Sequence, residues 1–284
     1  MLTLAVTVAA VLVCAWLAVV GALWWQQDRM IFPGWGFAAV EASGVEHPDQ
    51  RLELTTPDGV RLVGALRRAT RPSRGLMLVF GGNAEDADWR LRHFGGWLDD
   101  VDIATFFYRG FGPSGGVPSE PALVADAMLL HDAMVERLRP SRVVAAGLSL
   151  GSGVAAQLAR RRPLSGVVLV TAFDSIAALA AARYPFVPVS LLIRHPFRSD
   201  AALAGLPVPV AVIGAEADRI VPPVHTRRLV DELAQPVLVT WIADADHVSL
   251  YDRREYREAF VEALDRLLTP PPKAADDEPA ATSL

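Results

Sequence analysis

Cysteine and lysine are almost absent from the 284-residue sequence, which has one of each. The single cysteine, Cys14, lies in an apolar run near the N-terminus. The rest of the chain therefore has no disulfide, no thiol nucleophile and no cysteine-based metal site. The single lysine, Lys273, leaves arginine as nearly the whole basic complement. We read this bias as the mark of a GC-rich coding sequence, which indicates a bacterial source.

An excess of basic charge is also missing. The chain carries 27 Lys and Arg against 32 Asp and Glu, a net charge of −5. Because no basic stripe is present, nucleic acid is not an expected partner. Apolar residues make up 52% of the sequence. A chain of this length and composition is sufficient for one well-buried domain or two small ones.

Charge is absent altogether from residues 2–25, which are nearly all apolar. As a helix these residues would be about 36 Å long, against roughly 30 Å for the hydrocarbon core of a bilayer. Trp24 and Trp25 fall where an interfacial aromatic pair is expected. We predict a single-pass anchor over residues 1–25, in a bacterial inner membrane, with the side of the catalytic domain left open. A cleaved signal peptide is the alternative, although no Lys or Arg precedes the apolar run.

Beyond this run the sequence divides into three parts. Residues 26–50 are rich in turn formers and predict a linker, and the Pro/Ala-rich residues 269–284 predict a disordered tail. Residues 51–268 begin with a β-hairpin pattern and continue as alternating strands and helices, with a short cap over about 172–198. The later strands are short continuous apolar runs, which are typical of buried parallel strands. The fold class is therefore α/β, a mostly parallel sheet with helices on both faces.

The pentapeptide at residues 147–151 has the pattern G-x-S-x-G, between an apolar β-branched stretch and a helix-like segment. In a strand–turn–helix context this pattern exposes the serine hydroxyl at the edge of the sheet. We predict that Ser149 is a nucleophile. The backbone N–H of Leu150, at the start of the helix, is then one donor of an oxyanion hole.

A serine nucleophile needs an adjacent base, and the base needs an acid to orient it. Of six histidines, only His247 directly follows a late apolar strand. Asp218 follows the preceding strand and is the preferred acid, with Glu216 and Asp174 as alternatives. The chain order serine, aspartate, histidine is the one expected for an α/β sheet with this elbow. No cofactor and no metal enter this prediction.

The second oxyanion donor is expected in the loop that follows the early strand, at residues 80–85. Two glycines there allow the backbone to approach a substrate closely, and we predict the backbone N–H of Asn83 as the donor. The alternative is an ordinary Gly-Gly turn in which Asn83 caps the next helix.

Several further stretches are similar to sequence motifs of a known protein family. They are residues 29–33 (RMIFP), 82–84 (GNA), 108–114 (YRGFGPS), 118–120 (PSE), 184–188 (YPFVP) and 214–222 (GAEADRIVP). With the elbow and His247, they resemble the α/β-hydrolases over about residues 25–268. The specific likeness is to the N-terminally anchored group that includes the bud-emergence-type proteins and the abhydrolase-domain thioesterase-like enzymes. The resemblance implies the α/β-hydrolase fold, and hydrolysis of acyl esters or thioesters without a metal or organic cofactor.

Two positions depart from the family pattern. Gly81 stands where the family usually has histidine, and Glu85 stands where a glycine is common. We expect the first change to loosen the oxyanion loop. We expect the second carboxylate to face solvent, because it would oppose a developing oxyanion if it pointed inward.

Substrate signals are few. Residues 179–198 form the only insertion long enough to be a cap. Its apolar side chains either line an acyl pocket or pack on the sheet; they are Tyr184, Phe186, Leu191, Leu192 and Ile193. A short cap beside a membrane anchor favours a small-molecule or lipid acyl ester as substrate. A peptidase on the same fold and a catalytically silent membrane-tethered scaffold are the alternatives.

Overall fold

The computed structural model describes residues 1–35, 51–83 and 87–269. Most of the predicted linker, from residue 36 to residue 50, therefore lies outside the described residues, as do Glu85 and the predicted tail from residue 270. The predicted domain boundaries stay predictions.

An eight-stranded sheet forms the centre of the described part. Its strands are β1 (Arg51–Thr55), β2 (Arg61–Arg67), β3 (Leu76–Phe80), β4 (Asp102–Phe106), β5 (Val143–Leu148), β6 (Gly166–Val170), β7 (Val210–Ala215) and β8 (Pro236–Ile242). The order across the sheet is β1-β2-β4-β3-β5-β6-β7-β8. Strand β2 is antiparallel to both of its neighbours, and the remaining pairs are parallel. The carboxyl ends of β3, β5, β6, β7 and β8 therefore meet at one edge, where sites in such sheets form.

Helices cover both faces of the sheet, which confirms the predicted α/β fold. They are α1 (Leu2–Ile31), α2 (Ala87–Gly95), α3 (Glu120–Leu138), α4 (Leu150–Ala159), α5 (Ile176–Arg183), α6 (Val189–Leu192), α7 (Ser199–Leu203), α8 (Pro223–Asp231) and α9 (Arg254–Leu268). Apolar side chains of α3, α4 and α8 pack in one core, and those of α2 and α9 pack in the core on the opposite face. Buried residues of α3 recur at helical spacing, as Leu123, Ala127, Leu130 and Met134 show.

Helix α1 is the one helix in the described part of the chain that is long and apolar enough to cross a membrane. A signal sequence at the N-terminus has the same character. The helix continues six residues beyond the predicted end of the anchor at Trp25, so the predicted linker begins inside it. No proline precedes Pro33, and the helix ends just before it.

The sequence pattern predicted one amphipathic helix over residues 248–268, and that prediction is wrong at its N-terminal end. A 3₁₀ turn, Ser249–Asp252, comes first, and α9 begins only at Arg254. The Asp246 carboxylate accepts hydrogen bonds from the backbone N–H groups of Val248 (3.0 Å) and Ser249 (2.8 Å), which favours a tight local turn over a helix. Arg253 then has an extended backbone that separates the two elements.

Candidate active site

Ser149 lies at the turn between β5 and α4, with φ +49° and ψ −116°. A non-glycine residue with positive φ is strained, and such strain clusters at functional sites. The flanking glycines are required by close contacts. A Cβ at Gly147 would lie 2.4 Å from the carbonyl oxygen of Gly151. A Cβ at Gly151 would lie 2.0 Å from the carbonyl oxygen of Phe80. Gly147 is therefore required by the close packing of the turn on the start of α4, and Gly151 is required by the packing of the turn on β3.

The Ser149 hydroxyl, the His247 imidazole and the Asp218 carboxylate form a hydrogen-bonded series. The Nε2 atom of His247 lies 2.9 Å from the Ser149 Oγ, and its Nδ1 lies 2.7 Å from an Asp218 carboxylate oxygen. Because an ionised carboxylate only accepts, Nδ1 donates to Asp218 and Nε2 is left to accept the Ser149 hydroxyl proton. The structure thus brings together the three side chains that the sequence predicted, across 98 and 29 residues of chain.

Backbone amides hold the Asp218 carboxylate in place. Its second oxygen accepts hydrogen bonds from the N–H groups of Ile220 (2.8 Å) and Val221 (2.8 Å). Because these donors hold one oxygen, the orientation of the carboxylate is fixed and its other oxygen faces His247. The Asp218 side chain is almost fully buried, with 2% of its surface exposed. Low solvent access strengthens each of these contacts.

The loop that carries His247 is fastened by its neighbours. The backbone N–H group of Ser249, followed by that of Val248, lowers the pKa of the Asp246 carboxyl that accepts from both. The Ala217 N–H donates to the Ala245 carbonyl at 2.9 Å, which joins the loop that carries Asp218 to the loop that carries His247. Asp246 therefore shapes the loop rather than orienting the imidazole.

The two alternative acids have other partners. Glu216 is exposed and pairs with Arg227 at 3.2 Å. Asp174 is buried and lies 2.8 Å from the Nδ1 atom of His225. Neither carboxylate is the one that contacts His247, so the geometry favours Asp218.

The candidate oxyanion loop follows β3, at Gly81, Gly82 and Asn83. The Asn83 side chain amide donates to the carbonyl oxygen of Ile31 at 3.1 Å, which links this loop to the end of α1. The Tyr108 hydroxyl donates to the Gly81 carbonyl at 2.8 Å. Leu150 begins α4 directly after Ser149, as predicted. The loop is thus held from two sides.

Arg90 accounts for the glycine at position 81. A Cβ there would lie 2.1 Å from the Nη1 atom of Arg90. This arginine is buried; it donates to the Thr105 hydroxyl at 2.7 Å and to the Phe106 carbonyl at 2.8 Å. A buried guanidinium therefore occupies space that a side chain at Gly81 would need, and it supports the loop. Sequence reasoning missed Arg90, although the departure at Gly81 was a signal that some other group fills this space.

The tyrosine–arginine–glycine stretch at residues 108–110 supports the same region. Arg109 forms two hydrogen bonds to the Asp126 carboxylate, at 2.8 and 2.6 Å, and a third to Asp58 at 2.9 Å. The hydrogen bond from Arg109 is the larger cause, and the hydrogen bond from Thr56 the next, that lowers the pKa of the Asp58 carboxyl to about 2. The stretch therefore ties the loop after β4 to helix α3 and to the opening hairpin.

An apolar pocket, open to solvent, lies between the end of α1 and the cap helices α5 and α6. Its lining residues are Leu23, Trp24, Gln27, Met30, Ile31, Ile176, Ala180, Tyr184, Val187, Val189, Leu192 and Ile193. None of them is charged. Ile31 lines this pocket and its carbonyl accepts the hydrogen bond from Asn83, so one residue links the pocket to the candidate oxyanion loop; Ser149, Asp218 and His247 do not line it.

The cap side chains divide into two groups. Tyr184, Leu192 and Ile193 line the pocket, as one of the two sequence interpretations proposed. Phe186 and Leu191 do not line it, and they are 52% and 83% exposed. Neither of the two interpretations, an acyl pocket or packing on the sheet, holds for these two side chains, because both are largely exposed. Within the described residues no cluster of His, Cys, Asp and Glu side chains has the arrangement of a metal site.

Comparison with known proteins finds hydrolases among those that are similar to this chain. The family model for hydrolases of the type "Serine aminopeptidase, S33" matches residues 71–199. The uncharacterized protein MT2364 of Mycobacterium tuberculosis is 33% identical over 277 residues, covering 93% of this chain and 95% of that protein. The lysophosphatidylserine lipase ABHD12 of Danio rerio is 31% identical over 155 residues, covering 47% of this chain and 40% of that protein.

Solved structures show the same fold. The Pyrococcus furiosus esterase PF2001 superposes with a TM-score of 0.64 at 17% identity, covering 82% of this chain and 98% of that one. At this identity the likeness concerns the fold alone. The mostly parallel sheet with helices on both faces agrees with these comparisons.

Proposed function

The chain belongs to the α/β-hydrolases, and from this premise we propose that it is a membrane-tethered serine hydrolase that cleaves carboxylic esters or thioesters with an apolar acyl group. The observation that carries the proposal is the hydrogen-bonded series from Ser149 Oγ through His247 to Asp218, with distances of 2.9 and 2.7 Å. Such a series activates a hydroxyl that is otherwise a weak nucleophile.

The reaction follows from the direction of these bonds. The His247 Nε2 atom takes the hydroxyl proton as the Ser149 Oγ attacks the acyl carbon, and the carbonyl oxygen becomes an oxyanion. When the tetrahedral intermediate collapses, the bond to the leaving alcohol or thiol breaks, and the imidazolium protonates that group. Water, deprotonated in turn by His247, then attacks the acyl-enzyme and releases the carboxylic acid and the free serine.

We assign the oxyanion hole to the backbone N–H groups of Leu150 and Asn83. The position of Leu150 at the start of α4 supports its role, because helix N-terminal N–H groups favour negative charge. For Asn83, the support is that Tyr108 and Arg90 hold the loop before it while its side chain is fixed on Ile31. A loop fixed in this way loses little free energy to reorganisation when the charge develops.

The uncharged pocket beside this loop supports an apolar acyl group. Apolar surface of this kind takes up hydrocarbon with roughly 25 cal/mol per Å² buried. The relatives also include a protein named as a lipase. An aminopeptidase would bind a free amine, for which a carboxylate is the usual partner; no acidic side chain lines the pocket in the described residues. Esters are therefore favoured over peptides.

Purified full-length protein in detergent, with p-nitrophenyl esters of increasing acyl length and p-nitroanilides of matched acyl groups and of leucine, tests this proposal. We expect ester turnover that increases from acetate to octanoate and is lost in Ser149→Ala. Higher activity on leucine p-nitroanilide than on any ester would replace the proposal with an aminopeptidase. Absence of turnover on every substrate, with no reaction with a fluorophosphonate, would identify a catalytically silent protein.

A further inference from the structure

The second half of α1 lies alongside the tip of the cap. We call residues 184–193 the cap tip. The Trp16 indole N–H donates to the Phe186 carbonyl at 2.9 Å, and the Gln27 side chain donates to the Leu192 carbonyl at 3.2 Å. The cap tip therefore runs in the same direction as the helix, along a length of eleven helical residues, or about 16 Å.

These contacts fix the depth of the cap tip relative to the apolar part of the helix. Trp16 precedes Trp25 by nine residues, about 13 Å along the axis. Residues 2–16 alone would form a helix of only about 22 Å, which is shorter than the roughly 30 Å hydrocarbon core. If α1 spans the bilayer while docked, the residues beside the cap tip must complete the span. The cap tip then lies below the surface of the membrane.

The composition of the cap tip suits that position. It contains no charged residue, and two of its side chains, Phe186 and Leu191, are large, apolar and exposed. Pro185 and Pro188 have no N–H to satisfy. In a region without water, backbone polar groups need internal partners. Besides the two carbonyls held by α1, the N–H of Ile193 donates to the Val189 carbonyl at 2.9 Å.

Charge reappears on both elements at the same level. The first charged residue of α1, Asp28, lies 3.1 Å from Arg194, the first charged residue after the cap tip. The Arg194 guanidinium also lies over the Trp24 ring, 5.0 Å from its centre. His195 contacts the other Asp28 oxygen at 3.2 Å. A tryptophan, an arginine and an ion pair at one level are the groups expected at the interface between hydrocarbon and headgroups.

We propose that the cap tip is immersed in the same membrane leaflet as the adjoining part of α1, so that the lipid hydrocarbon is the partner of its exposed face. Phe186 and Leu191 face the acyl chains, and the pocket between α1 and the cap opens to the leaflet. One consequence rests on the proposed function: the acyl chain of a lipid substrate reaches the pocket laterally, without passing through water. The anchor is then a wall of the substrate site as well as a tether.

Single-cysteine labelling tests the immersion. Because Cys14 is the only cysteine, Cys14→Ala gives a cysteine-free chain in which Phe186→Cys, Leu191→Cys and, as the control on edge strand β8, Val239→Cys are introduced singly. Each is labelled with an environment-sensitive fluorophore in phosphatidylcholine nanodiscs that contain lipids with a doxyl quencher on the acyl chain. Native Cys14, labelled in the same way, marks the hydrocarbon.

We expect blue-shifted emission and strong doxyl quenching at positions 186 and 191, close to the values at Cys14, and water-like emission at position 239. Emission at 186 and 191 that matches position 239 while Cys14 is quenched would overturn the proposal. Water-like emission at Cys14 as well would also overturn it, because α1 would not be in the membrane. Reaction of each sample with a fluorophosphonate at Ser149 is read separately, so failure of the immersion is distinguished from failure of the proposed function.

A charge substitution gives a second, independent measurement. Placing a carboxylate in hydrocarbon disfavours immersion, so Leu191→Asp should lower turnover of a long-chain ester embedded in vesicles by roughly 10- to 100-fold. Turnover of soluble p-nitrophenyl butyrate should be unchanged, because Leu191 does not line the pocket. Val239→Asp, which adds the same charge to an exposed edge strand, should alter neither activity. Equal activities of the two variants on the vesicle substrate would overturn the proposal.

Discussion

The substitution Asp218→Asn tests the role of the acid with little change of shape. One Asp218 oxygen accepts from the backbone N–H groups of Ile220 and Val221, each at 2.8 Å, and the other accepts from His247 at 2.7 Å. In asparagine the amide oxygen must stay with the two backbone donors, so the NH₂ group faces the imidazole. The His247 Nδ1 atom is then forced to accept, and its proton moves to Nε2.

The expected loss of activity follows from this change of tautomer. With a proton on Nε2, His247 cannot remove the hydroxyl proton of Ser149. The same substitution in a serine-protease triad lowers kcat by about 10⁴. At 1.36 kcal/mol for each factor of ten, this is about 5 kcal/mol of transition-state stabilisation. The thermal stability should change little, because every backbone donor to position 218 keeps an acceptor.

Steady-state hydrolysis of a p-nitrophenyl ester, with thermal unfolding measured on the same samples, provides the assay. Glu216→Gln and Asp174→Asn are the matched controls, since each neutralises one of the other two candidate acids. We expect both controls to keep kcat within a few-fold of wild type, while Asp174→Asn lowers stability because it disturbs a buried pair with His225. If Asp218→Asn kept kcat within roughly tenfold of wild type, or if either control lost as much, the assignment of the acid would be refuted.

Three further results are expected. Gly151→Ala should lower the free energy of unfolding by about 3 kcal/mol or more and abolish activity. The control is Gly115→Ala, whose Cβ would lie 3.8 Å from its nearest neighbours; it should lower the free energy of unfolding by less than about 1 kcal/mol. Chemical denaturation of both variants measures these free energies. Arg90→Met should lower stability by about 2–4 kcal/mol and reduce kcat more than it raises KM, as ester kinetics would show; unchanged kcat would exclude support of the oxyanion loop. Burial lowers the pKa of His195, against a partly opposing effect of Asp28, so the unfolded chain binds the proton more readily. The contribution of the neutral His195 ring to the free energy of unfolding should therefore be fully present above about pH 6.5 and should decrease as the pH falls below that value. The accompanying decrease in Tm should be smaller in His195→Gln.

The parts of the site that follow from local patterns could be predicted from the sequence. The elbow around Ser149 is encoded by glycines within two residues of it, and His247 and Asp218 follow apolar strands whose ends a parallel sheet brings to one edge. The fold class and the family resemblance are confirmed. The catalytic roles of the three residues stay predictions, although the structure places their side chains in hydrogen-bond contact.

The parts that depend on distant packing could not be predicted. Arg90 fills the space beside Gly81 from a helix whose pattern identifies it only as a polar residue. The outward direction of Phe186 and Leu191 depends on how the cap tip packs against α1, which no spacing in the sequence reports. The break before α9 depends on the Asp246 side chain, whose hydrogen bonds compete with the helix that the apolar pattern indicates.

The most direct test of the central claim is the site of reaction with a fluorophosphonate, located by mass spectrometry of the digested protein. We expect one adduct on the peptide that contains Ser149, in wild type and in Ser152→Ala, which removes the neighbouring hydroxyl. We expect no adduct in Ser149→Ala and a much slower reaction in His247→Gln. An unlabelled wild-type protein, or an adduct that persists in Ser149→Ala, would contradict the assignment of Ser149 as the nucleophile.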